Sequence, residues 1–319
     1  VIVCAKNEEE NIKKFIPLLL EQNYPDFELV LIDDSSSDNT LELFEEFEKN
    51  HSNIKLVKVK NNEAFWGNKK FALTLGIKAA KNEYLLFTDA DCYPTSKEWI
   101  KEMSSHFTLK KTIVLGYGAY EKVNGSFLNK LIRFETMLTA TQFFGWAKMG
   151  KPYMGVGRNL AYKREEFFRV NGFIDHMKLR SGDDDLFINQ AAEKENTVVC
   201  FSKESFTYSE PKTSFKEWFT QKRRHVSTAK HYKMFDRNQL SVFYASQLLF
   251  LLLPIILLAF QFQWIAVVSI IGFRYLFAWL TMGFAAGKLK EKDVMYWFPI
   301  IEIVLIFTQL NVFITNTFS

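Results

Sequence analysis

Along the first part of the chain, short runs of apolar and β-branched residues alternate with stretches whose apolar positions recur every three or four residues. Val1 to Ala5, Phe27 to Ile32, Ile54 to Val59 and Tyr84 to Thr88 are too short for helices and too apolar for surface loops, so they predict buried strands. Between them, helical spacing covers about Glu9 to Gln22, Thr40 to Lys49 and Lys69 to Lys81, with Asp38 placed to cap the second helix. Such alternation predicts an α/β fold, a mostly parallel, Rossmann-like sheet with flanking helices on both faces. No internal repeat or low-complexity tract interrupts it.

The pattern changes near residue 238, since from Asn238 to Gly287 the only charged residue is Arg274. Leu240 to Phe260, Phe262 to Phe284 and Val294 to Phe313 are each long enough to cross a hydrocarbon core, which predicts about three C-terminal transmembrane helices. Buried helices of a large soluble core are the alternative, but Leu248 to Leu253 and Ile255 to Leu258 have no polar face. Pro254 and Pro299 are tolerable as kinks. Arg274 and Glu302 are expected either to pair or to line a polar route, because charge at membrane depth needs a partner.

The predicted division is a soluble part, 1–237, whose residues 213–237 form a basic amphipathic interface helix, and a membrane part, 238–319. Lys222, Arg223, Arg224, Lys230, Lys233 and Arg237 precede the first span, and Lys288, Lys290 and Lys292 separate the second from the third. Positive charge stays on the cytoplasmic side, so the soluble part is expected to face the cytoplasm from a multi-pass position in the cell membrane. The uncharged turn at Gln261-Phe262-Gln263 then lies outside.

Composition narrows the picture further. With 319 residues, 48% hydrophobic, and a net charge of +4, the chain has enough apolar material for one catalytic domain and a smaller second region. Val1 already sits in a strand-like run, so the sequence is expected to be truncated at its N-terminus. Cys4, Cys92 and Cys200 show no metal-ligand spacing and suit a reducing compartment. No basic run in the soluble part is interleaved with stacking aromatics, which argues against nucleic acid and leaves membrane lipids as the partner of the basic excess.

Acidic residues gather where an open α/β sheet binds ligands, at the carboxyl ends of strands. Asn7-Glu8 follow the first strand, Asp33-Asp34 the second and Asp89-Ala90-Asp91 the fourth. Neither G-x-G-x-x-G nor a P-loop is present, so phosphate charge must be met by a metal and cationic side chains. A D-x-D triplet occurs about once by chance in a chain of this length, and a solvated turn would explain it. Its place after the run Tyr84-Leu85-Leu86-Phe87-Thr88 favours two carboxylates directed at Mg²⁺ or Mn²⁺. Asp33 and Asp34 suit a base or ribose contact, with turn capping as the plainer reading. In Gly182-Asp183-Asp184-Asp185 adjacent acids are expected to raise one another's pKa, which suits a proton acceptor; a helix N-terminus also favours such charge. Gln221-Lys222-Arg223-Arg224-His225 reads as an anionic-lipid patch or as a helix from which Gln221 and Arg224 reach a diphosphate, the other basic residues facing lipid.

In their order along the chain these segments resemble the inverting family-2 glycosyltransferases of the GT-A fold, particularly the membrane-embedded branch with cellulose, chitin and hyaluronan synthases. The resemblance covers nearly the whole chain. Val1 to Glu9 is similar to the family's opening strand and N-E turn, Asp33-Asp34-Ser35-Ser36-Ser37-Asp38-Asn39-Thr40 to its D-D-x-S-x-D-x-T segment, and Asp89-Ala90-Asp91 to its D-x-D. Lys69 and Ala72-Leu73 resemble G-K-x-x-A-L-N, with Asn68 and Thr74 in place of the Gly and the final Asn. Gly155 to Tyr162 and Val170 to Phe173 are similar to the acceptor-lining segment, Gly182-Asp183-Asp184 to the acidic motif that holds the base, and Gln221 and Arg224 to Q-x-x-R-W, with His225 where Trp is usual.

The resemblance implies a GT-A fold and a membrane-bound transferase that moves a hexosyl or N-acetylhexosaminyl group, with inversion, from a UDP-linked nucleotide sugar to a lipid, lipid-linked or polysaccharide acceptor of the cell envelope. It implies Asp184 or Asp183 as the base, with Asp184 preferred, and Asp91 and Asp89 as ligands of Mg²⁺ or Mn²⁺. Ala5, Asn7, Glu8, Asp33, Asp34, Lys69, Asp89, Ala90, Gln221 and Arg224 are the implied nucleotide-sugar contacts. A processive polysaccharide synthase and a non-catalytic nucleotide-sugar-binding membrane protein stand as alternatives. His225 and the short spans lean away from the synthase.

Overall fold

The computed structural model describes residues 1–60 and 69–317, so Asn68 lies outside the described residues. In chain order the elements are β1 (Ile2–Ala5), α1 (Glu9–Leu20), β2 (Leu29–Asp33), α2 (Thr40–Asn50), β3 (Ile54–Lys58), α3 (Lys69–Ala79), β4 (Tyr84–Asp89), β5 (Cys92–Pro94), α4 (Trp99–Ser104), β6 (Ile113–Leu115) and β7 (Gly118–Tyr120). There follow α5 (Phe127–Lys148), β8 (Leu160–Lys163), α6 (Arg164–Arg169), α7 (Asp185–Ala191), β9 (Thr197–Val199), β10 (Thr207–Ser209), α8 (Phe215–Ala229), α9 (Met234–Ala259), α10 (Trp264–Lys288) and α11 (Phe298–Thr317). They form two compact units, Val1–Glu121 with Gln142–Glu210, and Lys122–Thr141 with Pro211–Ser319.

In the first unit seven strands form a sheet in the order β3-β2-β1-β4-β8-β6-β9. β1 lies parallel between β2 and β4, and β2 is parallel to β3. β8 runs antiparallel to both β4 and β6, and β6 is parallel to β9, so the sheet is mostly parallel, as expected. Alternate residues of a strand face opposite sides. Val3 and Ala5 join Leu29 and Leu31 in a core with Ile12, Ile16 and Leu19 of α1, Phe44 of α2 and Trp99, Ile100 and Met103 of α4. α3 approaches β2 so closely that a Cβ at Gly76 would stand 2.2 Å from Ile32 Cδ1.

The expected strand and helix limits hold to within a few residues, but two shifts matter. β2 extends to Asp33 and β4 to Asp89, so both acids are strand residues anchored by sheet pairing before the turn begins. Asp38 does not occupy the cap position of α2; Asn39 does, without a side-chain bond. Asp38 instead accepts from Thr40 N at 3.1 Å and reaches Glu9 N at 3.2 Å, tying the start of α2 to the start of α1. A second, three-stranded sheet, β5-β10-β7, was not foreseen from the sequence.

Among its described residues the second unit holds three helical segments long and apolar enough to cross a membrane, Met234–Ala259, Trp264–Lys288 and Lys292–Thr317, with mean hydropathies of 2.3, 1.8 and 1.9. Of the two expectations for Arg274 and Glu302, pairing is the one observed. Arg274 on α10 donates through both terminal nitrogens to Glu302 on α11, at 2.5 Å each. Its guanidinium also stacks on Phe250 of α9 at 5.0 Å, so one side chain touches all three helices. Breaking such a pair costs more than never having made it, because the survivor is left unpaired. Arg274→Leu is therefore expected to lose about 3–5 kcal/mol of stability, while Arg274→Leu with Glu302→Leu stays within about 1 kcal/mol of the parent. Thermal unfolding in detergent checks both.

The basic stretch 213–237 is not one helix, since α8 ends at Ala229 and α9 begins at Met234. Its basic residues do not all turn to lipid either, contrary to the sequence reading. Lys222 pairs with Glu135 of α5, and Arg223 Nε donates to Asn316 Oδ1 of α11 at 3.0 Å. Arg133 of α5 binds Asp293 through both nitrogens and pairs with Glu291.

Candidate active site

The carboxyl ends of β1, β2 and β4 bring the acidic segments together. Cys4, the next-to-last residue of β1, sits among them: burial pushes its thiol up, Lys69 pulls the other way, and Asp34, Asp183 and Asp89 add to the rise. At the centre the Lys69 ammonium, on the first residue of α3, contacts Asp89 Oδ1 at 2.6 Å and Asp183 Oδ2 at 3.0 Å. Burial works against the lysine's charge, but Asp183 and Asp89 outweigh it and hold the ammonium well above its usual range. One cation thus bridges the D-x-D turn and the G-D-D segment. A recess of about 20 Å³, lined by Lys69, Asp89, Asp183, Asp184, Cys4 and Tyr162 among others, opens beside them.

Asp89, Asp91 and Cys92 offer ligand atoms that all lie within 4.8 Å of one another. The group could hold a metal ion, and it draws in a cysteine whose sequence spacing gave no hint of it. The Asp91 side chain reaches solvent, yet the protein packed around the turn and then the like charge of Asp89 push its carboxyl up. Two carboxylates repelling each other at a strand end fit a hard divalent cation.

Gly182 turns the chain into the second acidic segment with φ +98°, and a Cβ there would meet Leu186 Cδ1 at 2.4 Å. Asp184 caps α7, accepting from Asp185 N at 2.8 Å through one oxygen and from Gly157 N at 2.7 Å through the other. The sequence reading had the adjacent acids raise one another, and the resemblance preferred Asp184 over Asp183 as the base. The structure separates them. Burial opposes the charge of Asp183, but Lys69 overcomes it and draws that carboxyl below its usual range. On Asp184 burial and then the charges of Asp183 and Asp185 outweigh the bond from Gly157 N and the weaker pull of Lys69, and push it up to about 7.

The remaining expected residues divide into two groups. Ala5 O accepts from Asp34 N at 2.9 Å, and Asn7, at φ 58°, takes Ser37 N at 2.7 Å while giving its own N–H to Ser36 Oγ at 3.0 Å. Glu8 accepts from Asn11 at 2.6 Å. Asp33 is buried and meets Ser36 N only at 3.3 Å, a loose turn contact. Asp34 accepts no hydrogen bond from the described residues, and burial, with Lys6 opposing, raises its carboxyl. Ala90 is buried in the core. All of these gather in the first unit. Gln221 and Arg224 belong to α8 of the second unit, Gln221 half-buried and Arg224 exposed.

Sequence reasoning missed Arg158. Its NH1 donates to Ala119 O and Ser209 Oγ, both at 3.0 Å, and its guanidinium stacks on Tyr120 at 4.3 Å, fixing it against the small sheet. Burial disfavours its charge, while Tyr120, Cys92, Asp91 and Asp89 raise its pKa, which marks it as a second cation beside the D-x-D turn. It stood within a segment assigned to the acceptor side, and only long-range pairing of β10 with β7 places it.

A mostly parallel sheet with acids at its strand ends defines a GT-A-type architecture. Its likeness to a solved mannosyltransferase from Pyrobaculum calidifontis, in complex with GDP-Man and Mn²⁺, has a TM-score of 0.57 at 17% identity and covers 95% of this chain and 85% of that one. A family model described as glycosyl transferase family 2 matches residues 1–184, more than half of the 319, and the chain belongs to that family. It is 39% identical over 90 residues to a poly-beta-1,6-N-acetyl-D-glucosamine synthase of Staphylococcus epidermidis, covering 28% of this chain and 21% of that protein. It is 33% identical over 129 residues to the UDP-Glc:alpha-D-GlcNAc-diphosphoundecaprenol beta-1,3-glucosyltransferase WfgD of Escherichia coli, covering 40% of this chain and 47% of that protein. The matched stretches thus span less than half the length of either relative.

Proposed function

We propose that the protein is a membrane-bound inverting glycosyltransferase that moves one sugar from a UDP-linked donor to a lipid-linked acceptor of the cell envelope. The observation that carries this reading is the Lys69 bridge between Asp89 and Asp183, beside an Asp184 pushed up to about 7. On this reading the D-x-D turn binds the diphosphate and Asp184, which lines the same recess as Asp89, accepts the proton. The names of two relatives, a polysaccharide synthase and a UDP-glucose-dependent transferase to a diphospholipid, support the donor and acceptor classes.

Asp184 takes the proton of an acceptor hydroxyl as that oxygen bonds to the anomeric carbon; the bond from that carbon to the donor phosphate breaks, and the nucleotide diphosphate leaves with the electron pair. A divalent cation, Mg²⁺ or Mn²⁺, held by Asp91 and Asp89, would supply counter-charge for that leaving group. Lys69 and Arg158 add fixed positive charge there, and the Q-x-x-R match makes Gln221 and Arg224 candidate nucleotide-sugar contacts. Asp33 and Asp34 contact the base and ribose through acceptor oxygens, with Ala5, Asn7, Glu8 and Ala90 shaping the nucleotide side. The soluble part ends near residue 237 and faces the cytoplasm, anchored by three spans whose flanks carry the lysines and arginines.

The test is nucleotide release by the purified protein in detergent, with Mn²⁺ and a panel of UDP-sugars, with and without an extract of membrane lipids. One donor should release UDP only when lipid is present, with a single sugar added per acceptor. Tight UDP binding with no release across the panel would overturn the reading in favour of a sensor, and long products would make it a synthase.

A further inference from the structure

Two adjacent lysines open α3, and the transfer site described above uses only the first. Lys70 is 2% exposed, and its Nζ donates to three backbone carbonyls, His176 at 2.8 Å, Leu179 at 3.2 Å and Ser181 at 2.7 Å. An ammonium has three hydrogens, and all three are spent on this one segment.

We propose that Lys70 is a positioning residue for sugar transfer, pinning residues 176–181 by their carbonyls and so setting where Asp183 and Asp184 stand. The inference rests on the functional reading above and deepens it.

The pinned residues belong to no strand or long helix. After the short helical turn Ile174–His176 the segment makes one backbone bond to these carbonyls, Leu179 N to His176 O at 3.1 Å, and Lys70 supplies a second donor to His176 O and the donors to Leu179 O and Ser181 O. Ser181 is followed at once by Gly182, whose left-handed conformation swings the chain into Asp183. Lys69, one residue back on α3, holds the Asp183 carboxylate itself. The first turn of α3 therefore grips the acidic segment twice, by backbone before Gly182 and by side chain after it. Successive side chains on a helix point about 100° apart, so neither lysine can take over the other's contacts.

The charge on Lys70 is sustained locally. Burial pushes its ammonium down to about 8, and Asp183, Asp185 and Asp184 resist the fall, so it stays protonated at neutral pH. The His176 ring, packed against Phe173, is pushed down to about 4 by burial and then by Lys70, so it stays neutral beside the ammonium.

The test compares Lys70→Met and Lys70→Arg in the full chain in detergent. Hydrogen exchange reads residues 174–183, calorimetry reads Mn²⁺–UDP binding, and UDP release from UDP-N-acetylglucosamine with membrane lipid extract reads turnover. Lys70→Met should raise exchange in that segment about tenfold or more and lower kcat about 10- to 100-fold, since an ångström of misplacement costs that much. Mn²⁺–UDP affinity should stay within about twofold, because β1, β2 and β4 carry the donor side. Lys70→Arg, which keeps charged donors, should recover most of the turnover. Unchanged exchange in a folded Lys70→Met protein, or a loss of UDP affinity as large as the loss of kcat, overturns the proposal. Should Lys70→Met not fold, Lys70→Arg decides: raised exchange confined to 174–183 with lowered kcat supports it, and lowered kcat with unchanged exchange overturns it. A parent protein that releases no nucleotide defeats the functional reading instead, and the exchange arm still reports on the pin.

Discussion

Asp91→Ala is expected to lower sugar transfer by about a thousandfold or more while leaving the fold intact. The side chain reaches solvent at the turn after β4, and among the described residues it accepts only a weak bond from Cys92 Sγ at 3.4 Å, so few contacts are lost with it. What is lost is one of two carboxylates at the end of β4, and the other cannot replace it, because Asp89 is already engaged by Lys69 at 2.6 Å. The variant should melt within a few degrees of the parent, and initial rates of UDP release at saturating Mn²⁺ give the comparison. Transfer surviving within tenfold of the parent would remove the D-x-D turn from the mechanism.

Asp184→Asn should reduce kcat by about 10²–10⁴-fold, the range for loss of a general base, with UDP affinity little changed. Asparagine retains a carbonyl oxygen that can cap α7, so the helix start survives the exchange. The same carboxyl predicts the pH profile of the parent. Asp184 is pushed up to about 7, and only its ionised form accepts a proton. Below that value the rate should fall about tenfold per pH unit, and above it the rate should level off. Asp183→Asn gives the contrast: it removes one of the charges that push Asp184 up, so the acidic limb should move to lower pH while activity persists. Loss of turnover in Asp183→Asn with turnover kept in Asp184→Asn would reverse the assignment.

The four N-terminal strands and the three membrane-length helices were legible because each is carried by a run of residues whose burial shows locally. Strands of three residues, such as β5, β7 and β10, hold too little periodicity to announce themselves, and they form only when distant segments meet. For that reason Arg158 went unassigned while Asp89 and Asp91, next to a long buried strand, were found. Asp184 was preferred over Asp183 only through the motif resemblance, since the two share composition and neighbours. Lys69, far away in the chain, makes Asp183 a fixed anion, while burial and the charges of Asp183 and Asp185 make Asp184 a titrating group. Asp38 shows a milder version: it was expected to cap α2, but Asn39 holds that position, and Asp38 ties Thr40 N to Glu9 N of another helix.

In the proposed three-span arrangement the Arg274–Glu302 fork also bears on biosynthesis. A helix released into lipid with an uncompensated guanidinium near its middle is unfavourable by about 2.5–3.5 kcal/mol. α10 emerges from the ribosome before α11, so its arginine has no carboxylate to meet until Glu302 follows it. Stable insertion of α10 is thereby made to wait for α11, and the two should enter the bilayer as one hairpin rather than in succession.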